Sequence, residues 1–432
     1  MTNLPFPRST RFAVRCDGVD YPVYSGFDYD FVHIATIDAV TVTVSTSTPI
    51  SYVALRPSRR NKKYNLIDNN TVTFSLHRGD YYSFEINGDR ERPLLLFADE
   101  PMTSALYDGW HCISYTEPGY YTAGKIEATS NLLVYIGEGV VLDAWIDGKD
   151  AKNIRILGGG VLLRQNTDAD RRHPINLSSC ENVEINGITV IDNNCWNVRL
   201  HNCRHVTVEN VKILSHEVWS DGIDIVGGEY ILLRHLFIKN EDDCVCIKCS
   251  YNVTRNFEGF DARHILVEDC VLWNGPRGNS LEIGYETNNA VVENVLFRDI
   301  DVIHRETQDS KFHRSIISIH NAGNATIRNV TYENIYAEST DENFVQIAHM
   351  HQPRWGLGNG RIEDITIRNL TLAGGELRPS LVSAHAPSGN LCVTKNVTFE
   401  NLSVLGAPVR SLKDAERAGF TVDPSAENVQ FL

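Results

Sequence analysis

The chain has 432 residues, 42% of them hydrophobic, and a formal net charge of -15. That length is too great for one ordinary compact domain unless the architecture is elongated and adds core by repetition. The acidic balance, with no run rich in Lys or Arg, excludes a nucleic-acid or anionic-membrane surface, and no apolar run reaches the roughly 20 residues of a membrane helix. The opening MTNLPFPRSTRF has no apolar signal core. It points to a cytoplasmic protein as written, or a secreted or periplasmic one if a leader has been removed.

Over residues 1–102 the segments DAVTVTVSTS, ISYVALRPS, NTVTFSLHRGDYYSFEING and PLLLFADEP alternate apolar and polar residues between turn signals. This predicts a small antiparallel β-sandwich, with its boundary near Asp99 to Thr103, where FADEPMT ends the last strand.

Residues 103–432 read differently. One short pattern recurs from NLLVYIGEGV at Asn131 to KNVTFENLSV at Lys395, with start-to-start spacings of 21 to 35 residues. Each unit is rich in Val, Ile, Thr and aromatics in period-two alternation, so it holds strands rather than helices. A propeller needs roughly 40 residues per repeat, more than most of these spacings offer. The reading is an all-β chain whose second domain is a right-handed parallel β-helix of about ten rungs, each stacked on the last at about 4.8 Å. The recurring Asn would bond along the stack at the bends. Triplets such as Asn329 to Thr331 then belong to bend chemistry rather than glycosylation.

The stretch EDDCVCIKCS, Glu241 to Ser250, sets three acidic residues before a strand-like run. Its thiols Cys244, Cys246 and Cys249 read as buried packing rather than zinc ligands, because no second Cys or His pair at finger-like spacing accompanies them. One repeat earlier lies VWSDGIDIVGG with Asp221 and Asp224; one repeat later lies RGNSLEIGYE with Asn279, Glu282 and Glu286. Asp221 precedes Asp242 by 21 residues, close to one coil, so the carboxylates should meet on adjacent rungs. Carboxylates brought together cannot all keep ordinary pKa values; one tends to hold a proton and act as acid while another stays ionised as base. Glycosidic bond hydrolysis needs that division and no cofactor or metal.

In these residues the chain resembles the polygalacturonases, glycoside hydrolase family 28, and their dextranase-type relatives of family 49. Ser220-Asp221-Gly222-Ile223-Asp224 matches the family's Asn-Thr-Asp element around its Asp, and Asp242 to Lys248 matches its downstream Asp-Asp. Where the family has Gly-His-Gly the chain reads Gly278-Asn279-Ser280, and Arg314-Ser315-Ile316 stands for Arg-Ile-Lys. Loss of the Lys from the pair that holds a uronate points away from galacturonan and towards a neutral or unusual oligosaccharide or polysaccharide.

The resemblance and the acid/base argument together imply Asp242 as general acid, Asp221 and Asp243 as bases activating water, and inversion at the anomeric carbon. Asp224 either orients Lys248 or is a ladder residue. Lys248, Lys311, Arg314, Asn279 and Glu282 are candidate sugar-binding groups, with Trp196 and Trp219 as stacking surfaces and Tyr285 along the cleft. His313 is the best-placed substitute for the family histidine. Residues 250–262, 303–313 and 338–361 read as cleft walls. Two other classes remain: a calcium-assisted polysaccharide lyase or epimerase, and a β-helix that binds carbohydrate without turnover.

Overall fold

The computed structural model describes residues 4–103, 108–164, 170–191, 193–250, 258–307, 314–350, 354–356, 358–376, 378–386, 389 and 391–432. The first hundred residues form two five-stranded sheets. One is antiparallel throughout and runs Val19–Tyr21, Phe12–Cys16, Ala39–Thr46, Thr71–His77, Tyr64–Asp68. The other runs Tyr24–Ser25, Asp30–Ala35, Leu94–Asp99, Tyr81–Ile86, Val53–Arg56, and here the expectation of purely antiparallel pairing needs correction. Asp30–Ala35 and Leu94–Asp99 pair in parallel. Nearly sixty residues separate them, which leaves room for the crossover that a parallel pair requires.

Alternation explains the continuous apolar run PLLLFADEP. Leu94 and Leu96 point into the core shared by the two sheets, beside Val44, Val72 and Phe84. Leu95 and Phe97 point the other way, into a second core with Val141, Leu214, Phe237, Val271 and Trp273 of the following coils. The strand is buried on both faces, so it carries no polar alternation. Polar contacts, partly buried, seal the same boundary. The fully buried Lys212 ammonium donates to Asp99 at 2.7 Å and to the Asn210 and Gly187 carbonyls at 2.9 and 3.1 Å. Glu85 meets His304 at 2.8 Å and Arg56 at 2.9 Å, and Asp28 meets Lys239 at 2.5 Å.

From His111 onward the strands pair in parallel, coil on coil, as in a parallel β-helix, except for the antiparallel pair Leu402–Val404 with Ala407–Val409 near the end. The first apolar position of each repeat stacks in register: Leu132, Ile154, Val183, Val206, Ile231, Ile265, Val295, Val330, Ile365, Val397, Val429. All but Val429 are buried. At the bends the expected side-chain ladder forms: Asn396 donates to Asp364 at 2.7 Å, and Asn428 to Asn396 at 2.8 Å. A second column runs from Asp299 through Asn334 and Asn369 to Asn401 with steps of 2.9, 2.7 and 2.9 Å. These residues sit at positive φ, between 51° and 56° for Asn334, Asn369, Asp364, Asn329 and Asn396, which Asn and Asp tolerate best among residues with a Cβ. Of the expected cleft walls, residues 338–361 instead contain the coil strand Asn343–His349. Among the described residues no helix is long and apolar enough to cross a membrane.

Phe97 links the core of the second sheet to the coils through edge-on contacts with Tyr81 and Phe237, at 5.6 and 5.1 Å between ring centres. Phe97→Ala is expected to lower stability by about 3–5 kcal/mol, with the sheets and the coils still unfolding in one transition. Urea unfolding followed by Trp fluorescence and far-UV circular dichroism measures both; two separated transitions in the wild type would contradict the shared core.

Candidate active site

The strand Val245–Lys248 lies between Ile223–Asn240 and Leu281–Tyr285, with Ile223 paired to Val245 and Val245 to Leu281. The coil here is thus 22 residues long, one more than the distance from Asp221 to Asp242. The Gly222 N–H donates to the Asp243 carbonyl at 2.7 Å. By this register Asp243, not Asp242, stands directly above Asp221, and Asp242 lies beside the pair.

Three buried Asn side chains hold the acidic turns. Asn197 donates to the Asp221 carbonyl at 3.0 Å, and Asn274 to the Asp242 carbonyl at 2.7 Å. Asn240 reaches the carbonyls of Ser220, Asp242 and Asp243 at 2.8, 3.1 and 2.8 Å. Turn carbonyls buried away from water would otherwise be unsatisfied. Gly278 is required by close approach: a Cβ there would lie 2.0 Å from the Asp242 carbonyl carbon and 2.1 Å from the Asp243 nitrogen.

Asp221, Asp242 and Asp243 each present an oxygen within 4.8 Å of the others. Asp221 and Asp243 are buried and Asp242 is half-buried. Burial, then the charges of Asp224 and Asp242, hold Asp221 well above the usual carboxylate range. Burial, then Asp243, push Asp242 up to about 7 against the pull of Lys248 and Arg314. Burial raises Asp224 to about 6, with the Lys248 ammonium opposing. Asp243 accepts from the Asn279 backbone N–H at 2.7 Å and its amide at 3.0 Å.

Lys248 is 3% exposed. Its Nζ lies 2.6 Å from Asp224 Oδ1, 3.4 Å from Asp221 Oδ2 and 3.6 Å from the centre of the Trp196 ring. Burial alone would depress its pKa, but Asp224 and its other acidic neighbours hold it well above the ordinary lysine value. Asp224 is fully buried and its second oxygen has no hydrogen-bond partner.

The other candidates divide by direction. Asn279 faces inward: it donates to Asp243 and accepts from the Ser315 N–H and the Ser318 hydroxyl at 2.9 and 2.8 Å. Glu282 is fully buried against His320 at 3.0 Å. Arg314 is half-buried and donates to the Pro276 carbonyl. Trp196 is half-buried over Lys248, whereas Trp219 is 48% exposed beside Asp221. Lys311 and His313 lie outside the described residues. His320, a further candidate for that substitute histidine, is buried between Glu282 and Gln346 (2.9 Å) with the Tyr285 ring stacked 5.0 Å away. The thiols of Cys244, Cys246 and Cys249 bond to Asn240, Gly284 and Asn288 respectively. Among the described residues no three Cys or His side chains converge on one point.

The family model described as "Glycosyl hydrolases family 28" matches residues 125–417. A probable polygalacturonase of Arabidopsis thaliana is 26% identical over 164 residues, 36% of this chain and 34% of that protein. The matched segment therefore spans about a third of that relative. Among solved structures, Dex49A from Penicillium minioluteum superimposes with a TM-score of 0.63 at 12% identity, covering 100% of this chain and 96% of that one. A hyperthermoactive exopolygalacturonase from Thermotoga maritima gives 0.54 at 14% identity, covering 70% and 85%. At these identities the superpositions speak to the fold alone.

The raised Asp242 carboxyl carries a stability consequence. Unfolded, it ionises near the ordinary Asp value of about 3.9; folded, it holds its proton to about 7. The native state therefore binds more protons across that window, and stability falls as pH rises through it. Asp242→Asn is expected to be more stable than wild type at pH 8 by on the order of 2–4 kcal/mol, and to lose that advantage below about pH 4. Urea unfolding at the two pH values checks the sign.

Proposed function

The chain belongs to the glycosyl hydrolases family 28, and from that footing we propose that it hydrolyses glycosidic bonds in an oligosaccharide or polysaccharide. The observation that carries the reading is the convergence of Asp221, Asp242 and Asp243 from two adjacent coils into unlike environments. Asp242, half-buried and protonated to about 7, donates its proton to the leaving glycosidic oxygen. Asp243, oriented by two N–H donors, takes the proton from a water that attacks the anomeric carbon, and Asp221 beside it helps to hold that water. One water is consumed, and the base's proton returns the site to its starting state.

We infer inversion from family membership and not from carboxylate spacing. The facing oxygens lie within 4.8 Å, closer than the roughly 6.5–9.5 Å between carboxyl groups common among inverting enzymes. A neutral or unusual glycan is the preferred substrate class, because Gly278-Asn279-Ser280 turns its Asn inward and Arg314 stands without the family's Lys two residues on. The architecture we attach to this reading is a sandwich domain over 1–102 and a right-handed β-helix of about ten rungs over 103–432. In it the catalytic turns lie on the coil surface and no cofactor takes part.

A panel of neutral and uronic acid oligosaccharides tests it, read for reducing ends and for unsaturated products with and without EDTA. The expected result is new reducing ends without unsaturation, unaffected by EDTA, and a fall in kcat of about 10²–10⁴-fold in Asp242→Asn. Unsaturated products lost with EDTA would mean a lyase, and binding without turnover a lectin-like role. Proton NMR of the first-formed anomer is expected to show inversion; retention would reassign Asp243 or Asp221 as nucleophile. The rate should decline as pH rises through about 7, where Asp242 loses its proton.

A further inference from the structure

Lys248 has the wrong exposure for a group that grips a sugar. It is 3% exposed, closed in by the Trp196 ring at 3.6 Å, Asp224 at 2.6 Å and Asp221 at 3.4 Å. The other charged or titratable groups that act on it are Glu286, Cys246, Asp242 and His173. Cys246 keeps its proton, since burial drives its pKa well up and its thiol donates to the Gly284 carbonyl at 3.1 Å. His173 is neutral, because burial lowers it to about 4. Lys248 is thus the ammonium in contact with the Asp221 and Asp224 carboxyls, with the Asp242 and Glu286 charges acting on it from farther off. Asp224, locked against it, has one oxygen without a hydrogen-bond partner and so depends on the ammonium for compensation of its charge.

We propose that Lys248 is a positioning residue that acts through Asp224 and Asp221: its buried charge decides how many protons the aspartate cluster holds, and so keeps a base ionised while Asp242 remains an acid. The inference deepens the hydrolase reading and rests on it for the word base, but the proton count itself does not require turnover. A buried ammonium removed from beside several carboxylates leaves negative charge uncompensated, and the cluster responds by taking up a proton. The long aliphatic stem and the face of Trp196 suit such a role: an indole face attracts a cation without supplying a competing hydrogen bond. A sugar-binding lysine would instead act on substrate affinity and leave the cluster's titration alone.

The two roles separate in a charge cycle of Lys248→Met, Asp224→Asn and the double variant, each read by pH–rate profile and by ¹³C NMR titration of labelled Asp carboxyls. Lys248→Met is expected to move the acidic limb of kcat upward by about one pH unit or more, with kcat at pH 6 down at least about tenfold and KM changed less than about threefold. Asp224→Asn should move the limb the opposite way, and the double variant should return it to within a few tenths of a unit of wild type. The carboxyl NMR should show the same order of proton uptake without substrate, so the proposal is judged even if wild type turns over nothing on the panel. A large rise in KM with unmoved titrations would overturn it and make Lys248 a sugar ligand. Single variants that shift in the same direction would also overturn it, as a merely structural role predicts.

Discussion

In-register parallel stacking is the constraint from which the rest follows. Each coil hydrogen-bonds to the next, so a residue's neighbours are set by coil length, and a side chain buried in one coil requires an apolar side chain at the same step of the next. The column from Leu132 to Val429 shows the requirement met through the whole stack. Because a one-residue slip would turn every following side chain to the other face, coil length is tightly specified where the interior is dense. Bends absorb the variation instead. There Asn and Asp adopt positive φ and bond to their counterparts above and below, which satisfies both the backbone and the stack.

The same constraint assembles the acidic site and sets its tension. Two coils bring four aspartates together under burial; Asn240 of the same coil, and Asn197, Asn274 and Gly278 of the two neighbouring ones, pin the backbone that carries them. Asp221, Asp224 and Asp242 are held above the ordinary carboxylate range by that burial and make the fold less stable at neutral pH than it would be without them. Lys248, with the Trp196 face against it, offsets part of that cost, while Asn279 and Ser318 extend the support from Asp243 into the next coils. The arrangement concentrates strain in a rigid framework, where geometry can be kept within the tolerance that proton transfer needs.

Rigidity is reinforced by the first hundred residues. The strand Leu94–Asp99 serves two cores at once, and the pairs Lys212–Asp99, His304–Glu85 and Lys239–Asp28 join groups far apart in sequence. Lys239 stands at the end of the strand that leads straight into Glu241 and Asp242. Phe27 stacks on His216 at 3.7 Å, in the segment that leads to Asp221. The leading sheets therefore brace the two turns from which the carboxylates project.

Much of this was legible in the residues alone. Period-two alternation in repeats of 21 to 35 residues admits few folds, and SDGID one repeat before EDDCVCIK placed the carboxylates on adjacent rungs, because strand spacing depends only on local pattern. FADEPMT marked the end of the sheets for the same reason. Facing was another matter. That Asn279 bonds to Asp243, that Glu282 is closed in by His320 and that Lys248 pairs with Asp224 depend on which coils meet; that Asp243 stands above Asp221 hangs on a coil of 22 residues rather than 21. A one-residue difference made in a bend has no signature in composition. The parallel pairing of Asp30–Ala35 with Leu94–Asp99 and the Glu282–His320–Gln346 column were likewise decided by tertiary structure. What the sequence by itself determined was which residues are buried and how often they recur, since hydrophobicity is local; which polar groups meet was settled only when the coils closed, since that depends on register summed over the whole turn.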